Sequence, residues 1–80
     1  MQRVRYAYRV EKINDKYRIY FPDIDDCLTT VSNNSHILGT AGGILHDHLY
    51  YLLINKREIP NPKYEPRDKS LDRVVDVILD

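Results

Sequence analysis

The amino-acid sequence predicts a single α+β domain in which one long helix packs on one face of a four-stranded sheet. Polar and apolar residues alternate through most of the first 31 positions, which is the period of β-strands. Apolar residues then recur at three- and four-residue steps, which is the period of an amphipathic helix. A valine-rich tail supplies one more strand. Since 80 residues suffice for one domain, we expect residues 1–80 to fold as a unit in the order β-β-β-α-β.

The first two strands form a predicted hairpin. In the first strand, Arg3–Ile13, aromatic and β-branched residues alternate with charged ones. Asn14-Asp15 then supplies turn chemistry before the second strand, Lys16–Phe21. Pro22 ends this strand because proline cannot donate a hydrogen bond to a ladder. We expect Phe21 to be buried between the sheet and the helix, together with Leu49.

A third strand and the helix follow. Asp23–Asp26 is predicted to be a loop, and Cys27–Val31 is predicted to be a short strand. The residues Ser32-Asn33-Asn34-Ser35 are typical of helix N-caps, and the helical period extends from Ser35 to Lys56. Glycine weakens a helix interior and often marks the close approach of another backbone, so we expect tight packing or a kink at Gly39, Gly42 and Gly43.

The tail fits two structures. Its apolar residues, Leu71, Val74, Val75 and Ile78, match a helical stripe, whereas its β-branched run favours a strand. We favour a strand over Leu71–Asp80, because otherwise one sheet edge and one flank of the helix would stay uncovered. A strand that follows the helix through a right-handed crossover would run parallel to the first strand. The prediction is therefore a mixed sheet.

The strands of the hairpin carry a basic face. Neighbouring antiparallel strands keep the same alternation, so the residues opposite the apolar positions share one sheet face. The predicted binding residues on this face are Arg3, Arg5, Arg9, Lys16, Arg18 and Tyr20. Cations with an interleaved aromatic suit RNA phosphates and bases, and arginine and tyrosine also suit a protein interface. A solvated face balanced by Glu11 is the third interpretation.

The composition excludes some classes of function. Twelve basic and twelve acidic side chains give a net charge of 0, so bulk charge alone does not hold this protein to nucleic acid. There is one cysteine, no secretory leader and no long apolar run, which predicts a cytoplasmic protein that does not enter membranes. A neutral chain with exposed strand edges is also expected to form a homo-oligomer.

Three groups of side chains resemble catalytic or metal sites, and each has a simpler explanation. Asp23, Asp25 and Asp26 lie in one predicted loop, where aspartates commonly form turns. In His46-Asp47-His48 the two histidines lie on different sides of the helix, so they cannot share a metal. Cys27 is expected to be a small buried hydrophobe. We therefore predict no enzyme activity, no catalytic residue, no metal site and no cofactor.

Two motifs carry a family resemblance. The run from Tyr17 to Thr30, Tyr-Arg-Ile-Tyr-Phe-Pro-Asp-Ile-Asp-Asp-Cys-Leu-Thr-Thr, resembles the signature Tyr-x-Val-x-Phe-Pro-Asp-x-Pro-Gly-Cys-x-Thr of HicB-like antitoxins. Ile59-Pro60-Asn61-Pro62 matches the Ile-Pro-x-Pro that follows the helix in that family. The resemblance covers residues 5–66. Asp25 and Asp26 stand where the family has proline and glycine, and the start of the helix lacks the family's glutamates.

The resemblance implies a β-β-β-α-β domain described as partially RNase H-like. It also implies a non-enzymatic antitoxin that binds a HicA-like toxin, an mRNA-cleaving ribonuclease, and masks the catalytic histidine of that toxin. Many family members carry a C-terminal DNA-binding domain, which we expect to be absent from this 80-residue chain. The alternative function is a stand-alone RNA-binding domain that uses the basic sheet face.

Overall fold

The order of secondary-structure elements is β-β-β-α-β, as predicted. A computed structural model describes residues 2–33 and 35–79. Met1, Asn34 of the predicted capping cluster and Asp80 of the predicted last strand lie outside the described residues. The predicted boundaries agree with the observed ones to within about two residues. The elements are β1 (Gln2–Ile13), β2 (Lys16–Tyr20), β3 (Leu28–Val31), α1 (Ile37–Ile54) and β4 (Asp72–Leu79).

The four strands form one sheet in the order β3-β2-β1-β4. Ile13 pairs with Lys16, so a two-residue connection joins β1 to β2, as the turn chemistry predicts. Asn14 has a φ of 56°, a left-handed conformation that asparagine tolerates better than most residues. The local signals of the hairpin therefore agree with the tertiary structure.

The prediction that β4 runs parallel to β1 is wrong. Gln2 pairs with Leu79 and Arg9 with Asp72, so β4 is antiparallel to β1 and the whole sheet is antiparallel rather than mixed. The physical reason is the segment 55–71, which is long enough to return along the sheet before β4 begins. The Asp23 carboxylate accepts backbone hydrogen bonds from Lys63 and Tyr64, which fixes this return path.

The core lies between α1 and one face of the sheet. Tyr6, Tyr8 and Ile19 project from the sheet, and Leu45 and Leu49 meet them from the helix. Phe21 is 2% exposed and Leu49 is fully buried, which confirms both core predictions. The Tyr6 hydroxyl donates a hydrogen bond to the carbonyl of Pro60, so its polar atom is satisfied where the proline segment crosses the core edge.

The two ends of α1 differ in how well the sequence predicts them. The N-cap is His36, which makes no side-chain capping bond, and the Asn33 side chain accepts the Ser35 N–H in a turn before the helix. The predicted capping cluster is thus wrong. At the other end, the N–H of Arg57 donates to the Leu52 carbonyl and that of Lys56 to Leu53. These two bonds form a Schellman motif, with Lys56 left-handed at a φ of 57°.

Of the helix glycines, only Gly42 lies against the sheet, at a distance that a side chain would also allow, and α1 continues without a break from Ile37 to Ile54. A Cβ added at Gly42 would lie 3.6 Å from the nearest side-chain carbon of Val75, an ordinary contact distance. The same atom at Gly39 or Gly43 would meet no other atom within 4 Å. These glycines therefore leave the surface of α1 flat.

Although α1 is apolar over much of its circumference, no helix in the described parts of the chain could cross a membrane.

Candidate interaction surface

The predicted binding residues lie on the sheet face that points away from α1, here called the outer sheet face. In the β1–β2 register Arg9 pairs with Tyr20, Glu11 with Arg18 and Ile13 with Lys16. Arg3 and Arg5 share the alternation of β1, so the outer sheet face holds all six predicted residues, Arg3, Arg5, Arg9, Lys16, Arg18 and Tyr20. Their shared face follows from the alternation, while their role in binding stays a prediction.

The acidic residues of β4 neutralise part of this face. Arg5 donates two hydrogen bonds to Asp76, from Nε at 2.6 Å and from a terminal nitrogen at 3.1 Å. The Arg5 hydrogen bond, and then its charge, holds the pKa of Asp76 below its usual range. The Arg9 Nε lies 3.0 Å from a carboxylate oxygen of Asp72, as an ion pair without hydrogen-bond geometry. Two of the five predicted cations therefore have acidic partners.

Asp72 fastens the segment that follows the helix to the outer sheet face. It is 7% exposed, and its carboxylate accepts the N–H groups of Arg67 and Asp68 and the hydroxyl of Tyr64. The two backbone bonds are the main reason why the pKa of Asp72 is lowered. Because a buried carboxylate needs such partners, this network holds segment 64–72 against the outer sheet face beside Arg9.

The part of the outer sheet face toward the β1–β2 turn and β3 is open, and we call it the outer patch: Ile13, Lys16, Arg18, Tyr20 and Leu28. Leu28 is 53% exposed and pairs directly with Tyr20 across β2 and β3. The Arg18 guanidinium lies 5.1 Å from the centre of the Tyr20 ring, within cation–π range. Exposed aliphatic side chains beside an arginine and a tyrosine have the composition of a protein interface.

The loop of three aspartates has a structural role. Asp23 accepts the N–H groups of Lys63 and Tyr64, at 2.8 Å each, and thereby joins the end of β2 to the segment after the helix. Asp26 has a φ of 63°, so the left-handed turn comes at the position where the related signature has glycine. Within residues 2–33 and 35–79, no three His, Cys, Asp or Glu side chains converge as a metal site would require.

Cys27 lies in the core, and its thiol is unreactive near neutral pH. It is 4% exposed, and burial raises the pKa of its thiol to about 11. The thiolate is the nucleophilic form, so a thiol with this pKa is almost entirely protonated and unreactive near neutral pH. The histidines of α1 also stay apart: His46 is exposed and stacks on Tyr50, while His48 is half-buried.

Sequence reasoning missed the residues that modify this face, namely Asp72, Asp76 and Tyr64. The two aspartates are four residues apart in a strand, which puts them on one face. That spacing was visible, but their meeting with Arg9 and Arg5 depends on the antiparallel register of β1 and β4. Tyr64 lies in a segment without periodicity, and no local signal identifies its hydroxyl as a partner of Asp72.

Comparison with known proteins identifies the fold. The chain is similar to a chain in the solved structure titled "HicA3 and HicB3 toxin-antitoxin complex", with a TM-score of 0.68 and 24% sequence identity. The match covers 96% of this chain and 99% of the other chain. No protein-family model and no curated protein sequence matches the chain. The whole β-β-β-α-β fold is thus similar to that of one chain in a toxin–antitoxin complex.

Proposed function

We propose that this protein is a non-enzymatic antitoxin that binds a HicA-like toxin and covers its RNA-cleaving site. The observation that carries the proposal is the similarity to a chain of a toxin–antitoxin complex over nearly the whole length of both chains. A match of this extent supports a shared domain rather than a shared motif. A protein in this role meets its toxin in the cytoplasm, and the cytoplasmic location and the RNase H-like description of the fold go with the proposal as predictions.

The signature in the sequence supports the antitoxin side of the pair. Tyr17–Thr30 resembles the HicB-like signature, and in the structure these residues form β2, the aspartate loop and β3. Asp26 takes a left-handed conformation where the signature has glycine, so the loop has the geometry that glycine would favour. The resemblance therefore extends from residue types to the backbone conformation that those types serve.

The outer patch is the surface that we propose for the toxin. Elsewhere on the outer sheet face, Arg9 and Arg5 are paired with Asp72 and Asp76, and segment 64–72 lies beside Arg9. In the outer patch, Leu28 and Ile13 expose about half of their side chains beside Arg18 and Tyr20. A patch of this composition suits a folded protein partner.

The charges of the outer sheet face favour protein over RNA as its partner. Glu11 pairs with Arg18 across the hairpin, and two more carboxylates stand beside Arg5 and Arg9. Five cations facing three carboxylates give a much weaker attraction for phosphates than five cations alone. Arg18 also lies over the Tyr20 ring, and a nucleic-acid base would need that ring face free in order to stack on it.

The experiment is capture of the toxin by tagged protein. A HicA-like toxin, sought among the genes that neighbour this one, is co-expressed with the wild type, with Leu28→Asp and with Ile54→Asp. Leu28 and Ile54 are similarly exposed, at 53% and 61%, but Ile54 lies on α1, away from the outer patch. We expect wild type and Ile54→Asp to retain the toxin, and Leu28→Asp to weaken binding by about ten-fold or more, since a charge then faces an apolar contact.

Two results would contradict the proposal. If wild-type protein retains no toxin although it is folded, the antitoxin function is wrong. If both variants bind equally well, the outer patch is not the contact surface. If the partner is RNA instead, the protein should bind RNA in a complex whose affinity falls steeply with added salt, and Leu28→Asp should leave that affinity unchanged. A packed protein interface is less sensitive to salt.

A further inference from the structure

The outward edge of β4 is an unpaired strand edge. In the described ranges β4 pairs with β1 alone, so the backbone N–H and C=O groups on its other side have no strand partner. The edge is eight residues long and contains no proline. Val74 and Ile78 are each 46% exposed on the outer sheet face beside it. The opposite edge, β3, has only four residues, and such short edges pair poorly.

The sequence of β4 is nearly symmetric about Asp76. Val75 and Val77 flank it, and Val74 and Ile78 come next. An antiparallel pair of two β4 strands centred on Asp76 would set Val74 opposite Ile78 of a second copy, and Val75 opposite Val77. Both residues of each such pair lie on the same face, because the alternation is kept across the two-fold axis. Apolar residues would then meet apolar residues on both faces.

Two features of the structure make this pairing compatible with charge and shape. Directly opposed aspartates would repel, but each Asp76 already has a two-bond ion pair with Arg5 of its own chain. On the helix side of the sheet, a shallow groove runs between the β4 edge and three glycines of α1, Gly39, Gly42 and Gly43. The space over Gly39 and Gly43 is open, so the helix of a second copy could approach there.

We propose that β4 is the homodimer interface of this protein, and that two copies join their sheets into one eight-stranded antiparallel sheet centred on Asp76. The occupant of the edge is a second copy rather than another protein, because a two-fold axis matches the apolar residues of β4 with themselves. The proposal does not depend on toxin binding. The outer patch lies at the far side of the sheet, toward β3, and remains open in the dimer.

The test is a charge exchange at Val74 and Ile78. In the proposed register these two positions face each other across the dimer, whereas within one chain they lie four residues apart along the strand. Val74→Lys with Ile78→Lys places like charges opposite one another, and Val74→Lys with Ile78→Glu places opposite charges there. Analytical ultracentrifugation across a concentration series measures the dimer dissociation constant of each, and circular dichroism checks the fold.

We expect wild type to sediment at twice 9.5 kDa. The double-lysine variant should dissociate at least about ten-fold more readily, and the lysine–glutamate variant should recover most of the difference. A wild type that is monomeric throughout the series overturns the proposal. A dimer that tolerates the double-lysine variant places the interface elsewhere, and equal weakening of both variants excludes the register centred on Asp76.

Discussion

Replacing Asp26 with glycine should stabilise the protein. Asp26 closes the loop between β2 and β3 with a φ of 63°, and this turn lets the Cys27 carbonyl accept the Phe21 N–H at 3.2 Å. A left-handed residue with a Cβ costs about 1–2 kcal/mol, and aspartate lies at the lower end of that range. Glycine removes this cost but gains freedom in the unfolded chain, which offsets about 0.4–1 kcal/mol. We therefore expect a net gain of about 0.5 kcal/mol, or about 2–4 °C in melting temperature.

The assay is thermal and urea unfolding of wild type, Asp26→Gly and Asp26→Ala, followed by circular dichroism. Alanine is the control, because it keeps the Cβ and loses the polar side chain that makes the left-handed region tolerable for aspartate. Its melting temperature should fall below that of the wild type. The exposed Asp26 carboxylate contributes little packing, so backbone conformation dominates the difference. An alanine variant that is more stable than the glycine variant would refute the reasoning.

Four further predictions concern the core, the helix end, the thiol and acid stability. Phe21→Ala should cost about 3–5 kcal/mol, enough to unfold most of a small domain at room temperature, and an unchanged urea midpoint would show that Phe21 is not a core residue. Lys56→Gly should raise the melting temperature, because the Schellman motif holds Lys56 at a φ of 57°; a lower melting temperature would contradict this. Cys27, with a thiol pKa of about 11, should react with a thiol reagent only as fast as the protein unfolds, and prompt labelling in native buffer would show that it is accessible. The pKa values of Asp72 and Asp76 are lowered in the folded state. The two carboxylates therefore stabilise the fold above their ordinary pKa, and this stabilisation is lost as the pH falls through their folded-state pKa values. An unfolding free energy that stays constant below about pH 4 would count against these pairings.

The sequence predicted the features that depend on neighbouring residues. Alternation in Arg3–Ile13 and Lys16–Phe21, with Asn14-Asp15 between them, determines both the hairpin and which residues share a sheet face. The helical period likewise identified Leu45 and Leu49 as a face of α1, and both are fully buried. In these elements local propensity and tertiary packing favour the same structure.

The direction of β4 could not be predicted in this way, and the charge balance of the outer sheet face depends on it. A crossover rule favours a parallel strand, but the contacts of Asp23 with segment 63–64 return the chain along the sheet. Only the resulting antiparallel register brings Asp72 to Arg9 and Asp76 to Arg5. A face predicted to be strongly basic is therefore partly neutral where β4 pairs with β1.

The most direct test of the antitoxin proposal is the titration of RNA cleavage by a HicA-like toxin, sought among the genes that neighbour this one. Increasing amounts of this protein are added to a fixed amount of toxin, and the cleavage of a labelled RNA is followed. We predict that cleavage falls to background near one protein chain per toxin, and that Leu28→Asp needs about ten-fold more protein to do so. Cleavage that continues unchanged in an excess of folded wild-type protein would contradict the proposal.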